Sequence, residues 1–166
     1  MPPVQPRNAS ADVLISGGGL VGQTLALALA AHGLSSIIVD PADPVTTLAP
    51  EFDGRASAIA SASWKMFEAI GLDGHLAGHG CGIERIWVSD GLKPGELDFA
   101  PAPDDGHLGI MFENRRLRLA LAEAVRASPL VDWRAPVITA GIVRDEHRAT
   151  VTLTDGSILA APLLAV

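Results

Sequence analysis

The run Gly17-Gly18-Gly19-Leu20-Val21-Gly22 constrains this chain more than any other feature. It lies between a short apolar stretch, Val13-Leu14-Ile15, and a long apolar segment from Leu20 to His32. The spacing Gly17-x-Gly19-x-x-Gly22 predicts a strand over 12–16, a tight turn, and a helix over 20–32 stopped by Gly33. Each glycine has a mechanical task. Gly17 permits the turn, Gly19 lets a ligand approach the backbone, and Gly22 lets the helix pack close to the strand. The free N–H groups at the start of such a helix attract an anion.

A second apolar stretch, Ile37-Ile38-Val39, ends in Asp40, 18 residues after Gly22. Strand, helix and strand in this order imply a parallel crossover unit. A carboxylate at the tip of the second strand suits the hydroxyls of a ribose, and it would repel a ribose 2′-phosphate. Gly17, Gly18, Gly19, Leu20, Val21, Gly22 and Asp40 are therefore the candidate residues for the ADP half of a dinucleotide. The bland alternative is a glycine-rich turn without ligand, with Asp40 only ending a strand. The loop by itself does not separate NAD from FAD.

Beyond this unit the pattern predicts irregular chain over 41–53 and a helix over 57–70. Strands follow over 83–89, 97–99 and 109–112, then a helix over 115–126. Further strands are expected over 131–133 and 137–143. Asp155-Gly156 between Thr150 and Ala160 reads as a hairpin, and Leu163 to Val166 as a last strand. The fold class expected is α/β: a Rossmann-like strand–helix–strand unit with additional β-strands. Residues 1–10 are expected to be a flexible tail, and 11–166 one domain or part of a larger one.

Apolar residues make up 48% of the chain, enough for a packed core, and the net charge is -7, which disfavours nucleic acid as a partner. A single cysteine, Cys81, allows no internal disulfide and fits a reducing, cytoplasmic setting. The longest apolar stretch is too short to span a bilayer, which leaves peripheral membrane contact open. His32, His75, His79, His107 and His147 are scattered, and Gly74, Gly78 and Gly80 argue against a helix that would align His75 with His79. No metal site is expected. Trp64, Trp87 and Trp133 read as core residues, and Asp104-Asp105 as a solvated turn.

Phe52-Asp53-Gly54-Arg55-Ala56-Ser57-Ala58-Ile59, followed by Ile70-Gly71-Leu72, resembles the FAD-dependent aromatic hydroxylases. Glu113-Asn114-Arg115-Arg116-Leu117-Arg118-Leu119-Ala120-Leu121 is similar to their ubiquinone-biosynthesis branch. The resemblance runs from about Asp12 onward and implies that 11–166 is the N-terminal part of an FAD-binding domain, an incomplete FAD-binding fold. It implies FAD as cofactor, NAD(P)H as co-substrate, and transfer of an oxygen atom from O2 to an aromatic ring such as a polyprenyl phenol. It also implies association with a ubiquinone-biosynthesis complex or the inner-membrane surface.

By the same resemblance, Arg55 would lie near the flavin and the substrate cavity. Asn114 would approach the cofactor from the start of its helix, and Val137 would offer a backbone contact to the adenine. The plain alternatives are an ion pair of Arg55 with Asp53 or Glu51, an N-cap role for Asn114, and simple packing for Val137. Many family members carry Glu where this chain has Asp40, a change that keeps the acceptor chemistry. The family continues past a strand like Leu163 to Val166 with two Gly-Asp motifs. The expectation is thus an N-terminal piece, with an inactive FAD- or ADP-binding fragment as the alternative. An NAD-dependent dehydrogenase survives only if both matching segments are coincidental.

Overall fold

The computed structural model describes residues 8–51, 54–91, 97–102 and 106–166. The chain divides into two compact units, Met1–Phe52 with Arg118–Val166, and Asp53–Leu117.

The first unit holds the parallel sheet that the glycine pattern predicts. Strand β1 is Ala9–Ser10, β2 is Val13–Ser16, α1 is Leu20–Ala31, β3 is Ser36–Val39 and α2 is the single turn Pro44–Thr47. After the second unit come β9 (Val131–Arg134), β10 (Thr139–Arg144), β11 (Ala149–Leu153), β12 (Ile158–Ala161) and β13 (Leu163–Ala165). Strands β13, β2, β3 and β9 lie side by side, and each neighbouring pair is parallel. Leu14 is in register with Ile37, and Ile15 with Ile38, so apolar pairs form on both faces. Leu14, Ile37 and Val39 share a core with Val151, Leu153, Leu159 and Ala161 of the second sheet, ordered β1-β12-β11-β10. Helix α1 packs against β2, β3 and β9 and buries Gln23, Ala26 and Leu27. A parallel sheet covered on both faces needs continuous apolar strands, which is why Val13-Leu14-Ile15 and Ile37-Ile38-Val39 do not alternate.

Local signals act as read. Gly33 takes φ +78° and ends α1, with the Leu34 N–H donating to the Leu29 carbonyl at 3.0 Å. Gly156 takes φ +84° in the β11–β12 turn, and the Asp155 carboxylate accepts from the Ser157 N–H at 2.8 Å. Two boundaries move. Ala9 and Ser10, read as tail, pair with Leu159 and Ala160 of β12. The strand read over 137–143 begins at Thr139, leaving Val137 before it.

In the second unit, β4 (Ala56–Ala60), β8 (Gly109–Glu113) and β5 (Cys81–Ile83) form an antiparallel sheet in the order β4-β8-β5. It also contains α3 (Ser61–Ala69), α4 (Asp73–Leu76), and the strands β6 (Ile86–Val88) and β7 (Leu97–Phe99), which pair with each other. The single helix read over 57–70 is thus corrected: residues up to Ala60 are strand and only Ser61–Ala69 is helix. The Ala-Ser-Ala-Ile-Ala segment has weak local preference, and five pairings with β8 decide its state. The strand read over 83–89 is two strands in different sheets. Asp73–Leu76 makes one helical turn despite Gly74, and His79 lies outside it. Trp64 stacks on Phe112 with ring centroids 5.6 Å apart.

Helix α5 (Asn114–Ala127) begins in the second unit, and its apolar positions Leu117, Leu121 and Val125 are buried at helical spacing. No helix among the described residues is long and apolar enough to cross a membrane.

Candidate functional site

The site is built at the C-terminal end of β2 and β3. Gly17 leaves β2 with φ +113°, and its N–H donates to the Val39 carbonyl at 2.8 Å, which fastens the start of the loop to the end of β3. Gly22 sits over the same turn. A Cβ added there would lie 1.9 Å from the Gly17 carbonyl oxygen and 3.3 Å from the Ile15 side chain. No side chain but hydrogen fits.

Gly19 is the N-cap of α1 and provides no side-chain cap, and the first turn carries no acidic residue. The opening N–H groups of α1 therefore have no carboxylate or hydroxyl from their own turn. A Cβ added at Gly19 would meet nothing within 4 Å. Nothing in the protein's own packing requires glycine at this position, and the open space beside it faces the positive end of the helix.

Asp40 stands beside the loop, at the tip of β3. Its backbone is held from both sides: its N–H donates to the Arg134 carbonyl at 3.1 Å, and its carbonyl accepts from the Val137 N–H at 2.8 Å. One carboxylate oxygen accepts a short hydrogen bond from the Gly18 N–H, and the other accepts from the Ala42 N–H at 2.6 Å. Each oxygen keeps a second lone pair for a ligand hydroxyl. Gly18 is itself sterically required, since a Cβ there would come within 2.8 Å of the Trp133 indole nitrogen and 3.1 Å of the Asp40 carboxylate.

Two cavities flank the loop. One, of about 180 Å³, lies between Gly18-Gly19, Asp40, Gln23, Arg118 and Trp133. The other, of about 430 Å³, is lined by Gly17, Gly22, Val21, Leu25 and Val166. Both cavities border Gly19 and Leu20 at the start of α1. The donors, the free space at Gly19 and the flanking carboxylate fit the ADP half of a dinucleotide.

The structure brings Gly17, Gly18, Gly19, Leu20, Val21, Gly22, Asp40 and Val137 together in the first unit. The Val137 N–H already serves the Asp40 carbonyl, so a backbone contact from Val137 to a ligand would use its own carbonyl. Arg55 and Asn114 meet in the second unit, where the Asn114 N–H donates to the Arg55 carbonyl at 2.9 Å. Asn114 is buried, and its side-chain oxygen accepts a short hydrogen bond from the Ser57 hydroxyl, tying the start of α5 to β4. Phe52, Asp53, Asp104 and Asp105 lie outside the described residues. Among the described residues, no three His, Cys, Asp or Glu side chains cluster as metal ligands.

Sequence reasoning passed over Gln23 and Trp133. Both line the smaller cavity. The signal for Gln23 was present, a carboxamide inside an otherwise apolar helix. For Trp133 there was none, because a tryptophan in a short strand reads as core.

The FAD binding domain family matches residues 10–157. A ubiquinone hydroxylase, UbiL, of Rhodospirillum rubrum is 43% identical over 154 residues, covering 93% of this chain and 36% of the relative. The 3-demethoxyubiquinol 3-hydroxylase of Escherichia coli is 30% identical over 164 residues, covering 95% of this chain and 41% of the relative. The crystal structure of PqsL from Pseudomonas aeruginosa, in complex with 2-aminobenzoylacetate, superposes with a TM-score of 0.75 at 25% identity, over 94% of this chain and 42% of that one. The chain thus spans well under half the length of the relatives it matches.

Proposed function

This chain belongs to the FAD binding domain family, and from that premise we propose that it holds the ADP half of FAD at the mouth of α1. The wider reading is that this half-site serves a flavin-dependent hydroxylase of an aromatic polyprenyl phenol in ubiquinone biosynthesis. Two relatives named as ubiquinone-pathway hydroxylases support that reading. When bound, the flavin supplies the redox chemistry, taking a hydride from NAD(P)H and activating O2 for transfer to the ring. The described residues contribute a cradle: backbone N–H groups for the diphosphate, the Asp40 carboxylate for the ribose, a positive-φ turn at Gly17 and a hydrogen-only position at Gly22. We assign cofactor binding to these residues, and ring hydroxylation to a protein of the relatives' full length, cytoplasmic and meeting the membrane surface where its substrate lies. Arg55 and Asn114 are proposed to approach the cofactor, and Val137 to meet the adenine through its carbonyl.

The observation that carries the reading is Gly19. It occupies the N-cap of α1 with open space where a side chain would be, the one glycine of the triad that only a ligand needs. The experiment is equilibrium dialysis of the purified chain against FAD, followed by its absorbance bands at about 370 and 450 nm. Saturable binding displaced by ADP is the expected result. A chain that retains neither FAD nor ADP overturns the assignment.

A further inference from the structure

We propose that Gln23 is a cofactor-positioning residue: its carboxamide clamps the glycine loop through one end and accepts a hydrogen bond from a ribose hydroxyl through the other. This inference rests on the reading of the loop as an ADP site. Gln23 lies in the first turns of α1 and is only 4% exposed. Its Nε2 donates to the Gly18 carbonyl at 2.8 Å. Only the NH2 end of a carboxamide can donate to a carbonyl, so this bond settles the orientation and leaves Oε1 on the other side. That oxygen is buried and accepts no hydrogen bond among the described residues.

A buried acceptor without a partner is unusual, because it loses its water and gains nothing in return. Here Gln23 lines the cavity between Gly18-Gly19 and Asp40. Trp133 lines the same cavity, and its indole N–H is likewise buried without a partner among the described residues. The cavity therefore presents two acceptors, the Asp40 carboxylate and Gln23 Oε1, beside the donors of the Trp133 indole and the Arg118 guanidinium. A pair of neighbouring sugar hydroxyls, each able to donate and to accept, matches this set. A phosphate offers no proton to either acceptor at neutral pH. The chemistry points to a ribose diol seated against Gln23.

The arrangement also couples ligand to loop. Gly18 is gripped through both of its flanking peptides, the preceding one by its N–H on Asp40 and the following one by its C=O on Gln23. A sugar that engages both side chains stiffens the peptide from which the diphosphate-binding turn continues.

The test is isothermal titration of the full chain with ADP, 2′-deoxy-ADP and 3′-deoxy-ADP, for the native protein and for Gln23→Leu and Gln23→Glu. Removing a buried acceptor that serves a ligand hydroxyl should weaken ADP about tenfold in Gln23→Leu. For one of the two deoxy nucleotides, that difference between native and variant should disappear. Gln23→Glu restores the acceptor while losing the clamp, so it should keep the preference for ADP over the deoxy nucleotide. A purely structural role for Gln23 would weaken all three ligands by the same factor, and that result overturns the proposal, as does an unchanged ADP affinity in Gln23→Leu. If the native chain binds none of the three, the ADP site itself is wrong and both readings fall. Native binding with no difference between variants sinks only this one.

Discussion

The α-carbon of Gly22 rests against the carbonyl oxygen of Gly17, so close that a methyl group on it would sit 1.9 Å from that oxygen. The contact sets how near α1 lies to the turn that precedes it. Gly22→Ala should therefore push the helix off β2 and destabilise the first unit by about 1–3 kcal/mol, the usual range for overpacking. Urea denaturation reads the loss. A variant as stable as the native chain would mean that the helix start shifts at little cost.

Gly19 makes the opposite prediction. Its missing side chain leaves open space, so Gly19→Val should fold with stability changed by no more than about 1 kcal/mol, the scale of an N-cap exchange. FAD affinity should nonetheless fall about a hundredfold or more, since the branched side chain fills the place of the diphosphate. Thermal melting and FAD titration of the same sample separate the two effects. Retained binding would move the diphosphate elsewhere.

Asp40 combines structure and recognition. Asp40→Ala leaves the Gly18 and Ala42 N–H groups without their acceptor, at about 1–2 kcal/mol of stability for partly exposed donors. It also removes the ribose partner and the repulsion of a 2′-phosphate. ADP should bind about tenfold more weakly, and its preference over 2′-phospho-ADP should shrink. An unchanged preference in competition titrations would show that another group reads the sugar.

Asp12 predicts a pH effect away from the site. Its carboxylate accepts from the Ser35 hydroxyl and the Ser35 N–H, each at 2.7 Å, joining the start of β2 to that of β3. These two hydrogen bonds, the hydroxyl's first, hold its pKa below the ordinary value of 3.8. A depressed folded-state pKa stabilises the fold above the unfolded value, and that stabilisation is lost as pH falls through the folded value. Native and Asp12→Asn chains should therefore differ in stability at neutral pH and converge below about pH 4. Parallel stability curves down to pH 2 would contradict the link.

How far the sequence reaches can be judged element by element. The strand–loop–helix–strand order, the stop at Gly33, the Asp155-Gly156 hairpin and the placing of Asp40 beside the loop were all legible. They depend on residues whose local requirements are strong: glycine where φ is positive, unbroken apolar runs where both faces are covered. The helix read over 57–70 failed at its first half because Ala56–Ala60 states no strong preference of its own. Its strand exists through pairing with Gly109–Glu113, distant in the chain.

By itself, then, the sequence determined that a crossover unit forms and that a glycine turn opens its helix, since period, spacing and chirality act within a few tens of residues. Only the tertiary structure decided which glycine packing demands, Gly22, and which it leaves beside open space, Gly19. Only folding, too, seats Gln23 and Trp133 beside Asp40 with polar atoms that have no partner among the described residues. Burial and hydrogen-bond partnership are properties of neighbours brought together from far along the chain, and no local pattern encodes them.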